Sequence, residues 1–178
     1  MVIIGGLASA RRAAEYGAKV ALIENKKLGG TCVNLGCVPK KVIWNAANLA
    51  DGYSDYSNYG FNLPPGGGDI TIDWKLFKER RDNYISRLNK IYETNLEKSK
   101  IQLVQGSAKF VSPTEVNVNN SETFEANKIL IATGGYPRIP NIPGASLGIS
   151  RFLRFSYFNS IFYLANYSKS NTVMDFLH

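Results

Sequence analysis

Two kinds of patterning divide this chain: short apolar runs bounded by glycine or polar residues, and longer stretches whose apolar positions recur at helical spacing. Val2–Ile4 reads as a short strand. The Ala-rich stretch Leu7–Tyr16 predicts a helix that stops before Gly17, where a left-handed residue closes a last turn without steric cost. Val20–Ile23 is a compact apolar strand of the type buried on both faces of a parallel sheet, and it ends at Glu24.

A helix over Val38–Ala50 comes next, then a polar loop rich in Tyr, Ser, Asn and Gly running to Asn62, and a Pro-Pro-Gly-Gly-Gly break at Pro64–Gly68. Asp73 is a good N-cap for a long helix through about Lys98. On it Trp74, Phe77, Tyr84, Ile85, Leu88, Ile91, Tyr92 and Leu96 recur mostly at intervals of three and four. Short strands follow at Ile101–Val104, Ala108–Val111, Glu115–Val118, Thr123–Ala126 and Ile129–Ala132, the last closed by the small residues Thr133, Gly134 and Gly135. The opening succession of strand, glycine turn, helix, strand and acid is that of a dinucleotide-binding fold. The fold class expected is therefore α/β: an incomplete Rossmann-like domain with a parallel sheet, helices and a small antiparallel β-meander. Residues 1–150 form this domain, and 151–178 are expected to be a separate, poorly ordered tail crowded with Phe and Tyr.

Composition narrows the function. The 178 residues carry a net charge of +7. The basic residues are scattered, with no Lys/Arg block longer than Arg11-Arg12 or Arg80-Arg81, so neither a nucleic acid nor a membrane is expected as partner, while an anionic substrate fits. The apolar runs are too short to span a bilayer, and no basic leader precedes an apolar stretch. A cytoplasmic location is the expectation, with a mitochondrial one open.

The most chemical segment is Gly29-Gly30-Thr31-Cys32-Val33-Asn34-Leu35-Gly36-Cys37-Val38-Pro39-Lys40-Lys41. It holds both cysteines, and the lone histidine is His178. No metal site follows, because a tetrahedral zinc site needs more ligands than this. The pair can instead close on itself. In a straight helix residues five apart are about 7.5 Å apart along the axis, and a disulfide needs Cα atoms within about 7 Å. The turn must bend, and Gly36 is the residue type that permits it. A strained bridge is easily reduced, so the pair reads as a working disulfide.

This segment closely resembles the redox-active segment of the flavoprotein disulfide reductases, specifically the branch acting on glutathione disulfide. The resemblance implies an NADPH-dependent enzyme in which FAD passes electrons to the Cys32–Cys37 disulfide. It makes Cys32 the interchange thiol and Cys37 the flavin-proximal thiol, with Lys40 beside the flavin ring. Gly5, Gly6, Glu24, Gly30, Thr31, Cys32, Ala108, Thr133 and Gly134 fall on cofactor-binding positions. Arg11, Tyr84 and Tyr92 fall on positions that contact glutathione disulfide. Core packing of the two tyrosines is the competing reading, since both lie on the apolar stripe. The family is homodimeric.

Three departures qualify the resemblance. The family's G-x-G-x-x-G turn survives only as Gly5-Gly6: either Ile4 enters the tight turn and crowds a pyrophosphate, or three residues are missing and Val2–Ile4 are the strand itself. FAD binding is accordingly expected to be impaired. No second glycine fingerprint for NADPH appears, and no His–Glu pair for the catalytic acid. The isolated chain is expected to be an inactive FAD-domain portion. A non-catalytic flavin-binding fragment, a flavin-independent dithiol exchange protein and a thioredoxin reductase-like protein are the alternatives.

Overall fold

The computed structural model describes residues 1–62, 71–135 and 141. The Pro64–Gly68 break and the aromatic tail lie outside them. The chain divides into two compact units, one of residues 1–34 with 86–136 and one that begins at residues 35–85.

The first unit is built on a four-stranded parallel sheet in the order β3-β2-β1-β7, from β1 (Val2–Gly5), β2 (Ala21–Glu24), β3 (Gln102–Gln105) and β7 (Ile129–Ala132). Register sets Ile3 beside Leu22 and Leu130, and Leu22 beside Leu103. Side chains alternate across a strand, so these four share one face. That face packs into a core with Ala10 of helix α1 (Leu7–Glu15) and Leu96 of the long helix α4 (Trp74–Lys98). The opposite face carries Val2, Ala21 and Ile23, which pack with Val116 and Val118 of a second sheet. That sheet is an antiparallel meander of β4 (Ala108–Phe110), β5 (Glu115–Val118) and β6 (Glu122–Glu125). Each fully buried aliphatic side chain, such as Ile3 or Leu22, stabilises this arrangement by about 1.5–3 kcal/mol. The sheet is thus covered on both faces, as parallel strands require.

Most element boundaries match the patterning to within one or two residues. Gly17 closes α1 with φ +82, its N–H donating to the Ala14 carbonyl. The Asp73 carboxylate accepts from the Leu76 N–H at 2.9 Å, as an N-cap should. Of the two readings open for Ile4, the strand is the one realised: it lies within β1, paired with Ile23 and Ile131. One expectation is corrected. The loop predicted to run to Asn62 is instead mostly helical: α3 extends over Cys37–Asp55 and continues as a 3-10 turn over Tyr56–Tyr59. Polar composition suggested a loop, but Tyr53, Tyr56 and Phe61 stack in sequence, with ring centroids 5.6 and 5.3 Å apart. Those contacts favour helix over the weak propensities of Ser, Asn and Gly. Helix α2 is a single short turn, Gly30–Asn34. Among the described residues no helix is long and apolar enough to cross a membrane.

Candidate functional site

Parallel strands end on one edge, and in the first unit that edge gathers most of the positions expected to hold a cofactor. Gly5 at the end of β1 pairs with Ala132 at the end of β7, and Glu24 at the end of β2 pairs with Gln105 of β3. Thr133 and Gly134 follow Ala132 directly and are exposed. This carboxyl edge is where open α/β sheets take ligands.

The turn from β1 into α1 consists of Gly5 and Gly6, with φ +69 and +76. A side chain is excluded at both. A Cβ on Gly5 would lie 2.6 Å from the Ala132 carbonyl oxygen, and one on Gly6 would lie 2.7 Å from the Ala132 Cβ. Gly6 is also the N-cap of α1 and offers no side-chain cap, while the first turn holds no acid. An uncapped helix start preceded by glycine favours an anion through its N–H groups and the helix dipole. Glu24 is oriented by the Lys26 N–H, which donates to its Oε1 at 2.9 Å.

Gly30, Thr31 and Cys32 sit on α2, with the Cys32 thiol exposed. Below it Val33 is buried, and Gly29 with φ +101 makes room for it, since a Cβ there would fall 2.7 Å from the Val33 Cβ. Two asparagines tie the segment down. Asn34 Nδ2 donates to the carbonyls of Gly30 (2.9 Å) and Leu28 (3.1 Å), while Asn89 Nδ2, on α4, donates to Leu28 O (2.7 Å) and Asn34 Oδ1 (3.0 Å). Neither asparagine was singled out from sequence. A signal existed: Asn89 lies four residues after Ile85 and three before Tyr92, a polar residue on the apolar stripe.

Of the positions expected to contact substrate, Arg11 and Tyr92 belong to this unit. Arg11 is half-buried on α1 and its Nε is buried with no hydrogen-bond partner among the described residues. Tyr92 is half-buried and packs against the helix-side core, so packing accounts for its place on the stripe. Ala108 opens β4, three residues past the carboxyl end of β3, and packs against the core between the two sheets.

The second unit holds Cys37, Lys40 and Tyr84. Cys37 is the first residue of α3, exposed, and Lys40 is exposed one turn on. Cys37 opens onto a cavity of about 630 Å³ between α3 and the start of α4. Val38, Val42 and Phe77 give it apolar walls, Tyr84 borders it, and among the described residues its charged lining is wholly cationic: Lys41, Arg80 and Arg81. Lys41 is steadied by its Nζ lying 4.1 Å from the centre of the Trp44 ring. Arg81 is aimed by Asp82, whose carboxylate it meets at 2.7 Å while Lys78 meets the other oxygen at 2.9 Å. Burial raises the Asp82 pKa, but the hydrogen bonds and charges of Lys78 and Arg81 outweigh it and hold the carboxyl below its ordinary value. These three cations were not picked out from sequence, because lysines and arginines on a helix are ordinarily solvated.

Comparison with known proteins follows this geometry. A family profile described as pyridine nucleotide-disulphide oxidoreductase matches residues 2–168. The chain is 50% identical over 155 residues to a glutathione reductase of Yarrowia lipolytica, covering 82% of this chain and 33% of that protein. It is 52% identical over 152 residues to a glutathione reductase of Schizosaccharomyces pombe, covering 82% of this chain and 32% of that protein. The chain therefore spans about a third of the length of the curated relatives it matches.

Proposed function

The chain belongs to the pyridine nucleotide-disulphide oxidoreductase family, and we propose that it supplies the flavin-binding edge and redox dithiol of a glutathione-disulfide reductase. The observation that carries this reading is the exposed Cys37 on a cavity whose charged lining, among the described residues, is cationic. A peptide disulfide bearing several carboxylates suits such a surface, because cations there raise its local concentration. Arg11, half-buried on α1, is the position the family resemblance assigns to a carboxylate contact, of the charge-assisted kind that arginine makes well.

In this reading the Cys32 thiolate attacks one sulfur of glutathione disulfide, whose S–S bond breaks as a mixed disulfide forms. One glutathione leaves as thiolate and takes a proton. The Cys37 thiolate then attacks the Cys32 sulfur, closing the Cys32–Cys37 bond and releasing the second glutathione. The dithiol loses two electrons and glutathione disulfide gains them. Tyr84 borders the substrate cavity, and Tyr92 acts by holding α4 on the core.

The carboxyl edge fits FAD in its donors. Gly5, Gly6 and the uncapped start of α1 suit a pyrophosphate, and the Glu24 carboxylate suits a ribose hydroxyl. Gly30, Thr31, Cys32, Ala108, Thr133 and Gly134 of the same unit complete the set that would hold it, and Lys40 is a position that only the family resemblance assigns to the flavin. When bound, FAD supplies the two-electron relay from NADPH that restores the dithiol. Assembly as a homodimer belongs to the same reading.

The test uses the chain pre-reduced, freed of reductant and mixed with glutathione disulfide. Two glutathione thiols released per chain, with a Cys32–Cys37 disulfide in the peptide map, is the expected result. Absence of both overturns the proposal. Titration with FAD should give a yellow protein with altered flavin fluorescence; a colourless chain that still exchanges would favour flavin-independent dithiol exchange.

A further inference from the structure

Helix α2 has five residues, Gly30–Asn34, too few to persist on their own in water. Yet it carries Cys32, and a reacting thiol must be held to be efficient. The holding contacts converge on two amides. Both donor hydrogens of Asn89 are used, one on the Leu28 carbonyl at 2.7 Å and one on Asn34 Oδ1 at 3.0 Å. Asn34 in turn donates to the Gly30 carbonyl at 2.9 Å and the Leu28 carbonyl at 3.1 Å, so its amide is engaged at both ends. Leu28 is itself buried in the core that contains Leu96 of the same helix α4. The segment bearing Cys32 is thereby tied to a residue 55 to 61 positions away, on the long helix that core packing fixes.

We propose that Asn89 acts through Asn34 as a positioning residue for Cys32, so that this amide clamp sets the reduction potential of the Cys32–Cys37 couple. The inference rests on the functional reading above, which makes the two thiols a couple. Closing an S–S bond needs the two Cβ atoms about 3.5–4.5 Å apart, and its equilibrium constant measures how concentrated one thiol is at the other. Releasing the clamp spreads Cys32 over more positions and lowers that effective concentration. The disulfide then becomes easier to reduce and the potential rises. The reaction is the balanced exchange already written: the dithiol gives two electrons and two protons to glutathione disulfide, yielding two glutathione thiols.

The experiment equilibrates the full chain in glutathione buffers of graded oxidation. After acid quenching and alkylation, dithiol and disulfide are counted by mass. Asn89→Ala and Asn34→Ala should each lower the equilibrium constant by roughly three- to tenfold, a rise of about 15–30 mV at 29.6 mV per tenfold. The double variant should match the single ones rather than their sum, because the two amides work as one device. Val116→Ala, in the core against the meander, serves as a control that loosens the protein without touching the clamp. If Asn89→Ala does not fold, by circular dichroism, Asn89→Ser is read by the same criterion. Wild-type potentials in the clamp variants, or an equal shift in Val116→Ala, overturn the proposal. A wild-type chain that forms no Cys32–Cys37 disulfide overturns the functional reading together with it.

Discussion

Cys32 and Cys37 stand five positions apart, yet their surroundings are built on opposite principles. Cys32 rides a one-turn helix with almost no stability of its own, held from beneath by buried Val33 and Leu28 and by the Asn34–Asn89 amides. Cys37 begins a helix of 19 residues that needs no such clamp, and what distinguishes it is charge: Lys41, Arg80 and Arg81 around one cavity. One thiol is governed by position and the other by field. The difference teaches that a symmetric-looking motif can divide its work, with packing and hydrogen bonds setting where one sulfur sits and electrostatics setting what approaches the other.

The largest effect that should break this contrast is loss of the core behind Cys32. Leu22→Ala removes a fully buried side chain and should cost about 2–5 kcal/mol in urea unfolding. Next is the local turn: Gly29→Ala places a Cβ against Val33 at φ +101 and should cost about 1–3 kcal/mol. Thiol alkylation followed by peptide mapping should show the Cys37 rate unchanged in Gly29→Ala; an altered Cys37 rate would erase the proposed division.

Field effects are smaller. Arg80→Ala or Lys41→Ala should slow the reaction of Cys37 with a dianionic aromatic disulfide by roughly threefold at low salt, since a charge a few ångströms away in water is worth under about 1 kcal/mol. The Cys32 rate should stay put, and salt at about 1 M should abolish the difference. A loss that persists in salt would point to packing in place of charge.

The smallest effect concerns Asp82, which aims Arg81 from a side chain 43% exposed. Its carboxyl is held below the ordinary value of 3.8, so its stabilisation is fully present above that pH and is lost as pH falls through the depressed folded value. Asp82→Asn should therefore lose less than about 1 kcal/mol at neutral pH, after allowing for solvent screening. As pH falls through that depressed value, the difference between the variant and the parent chain in urea unfolding should close.

Much of this molecule was legible in one dimension. The apolar run of β2, the Ala-rich α1, the Asp73 cap and the meander strands are local signals, set by side-chain period and backbone preference within a few residues. The Gly29–Lys41 segment likewise declared its chemistry, because residue type and spacing alone define a dithiol. Misreadings arose where a specific side-chain contact outweighed local composition. Polar composition suggested a loop after Ala50, but stacked aromatics carry the helix to Asp55. Tyr84 and Tyr92 lie on one stripe in sequence, yet Tyr92 is packed on the core and Tyr84 borders a cavity.

The sequence by itself determined the elements, the dithiol and the family resemblance, all of which depend on neighbours along the chain. Only the tertiary structure decided the strand order β3-β2-β1-β7, which brings β7 beside β1 across more than a hundred residues and places Ala132 where Gly5 must be glycine. It alone decided that Tyr84 borders a cavity, that three scattered cations line the cavity onto which Cys37 opens, and that Asn89 reaches Asn34. The physical reason is common to all four. Hydrogen bonds, steric exclusion and electrostatic fields act over a few ångströms of space, and folding brings within that range groups that the sequence keeps far apart.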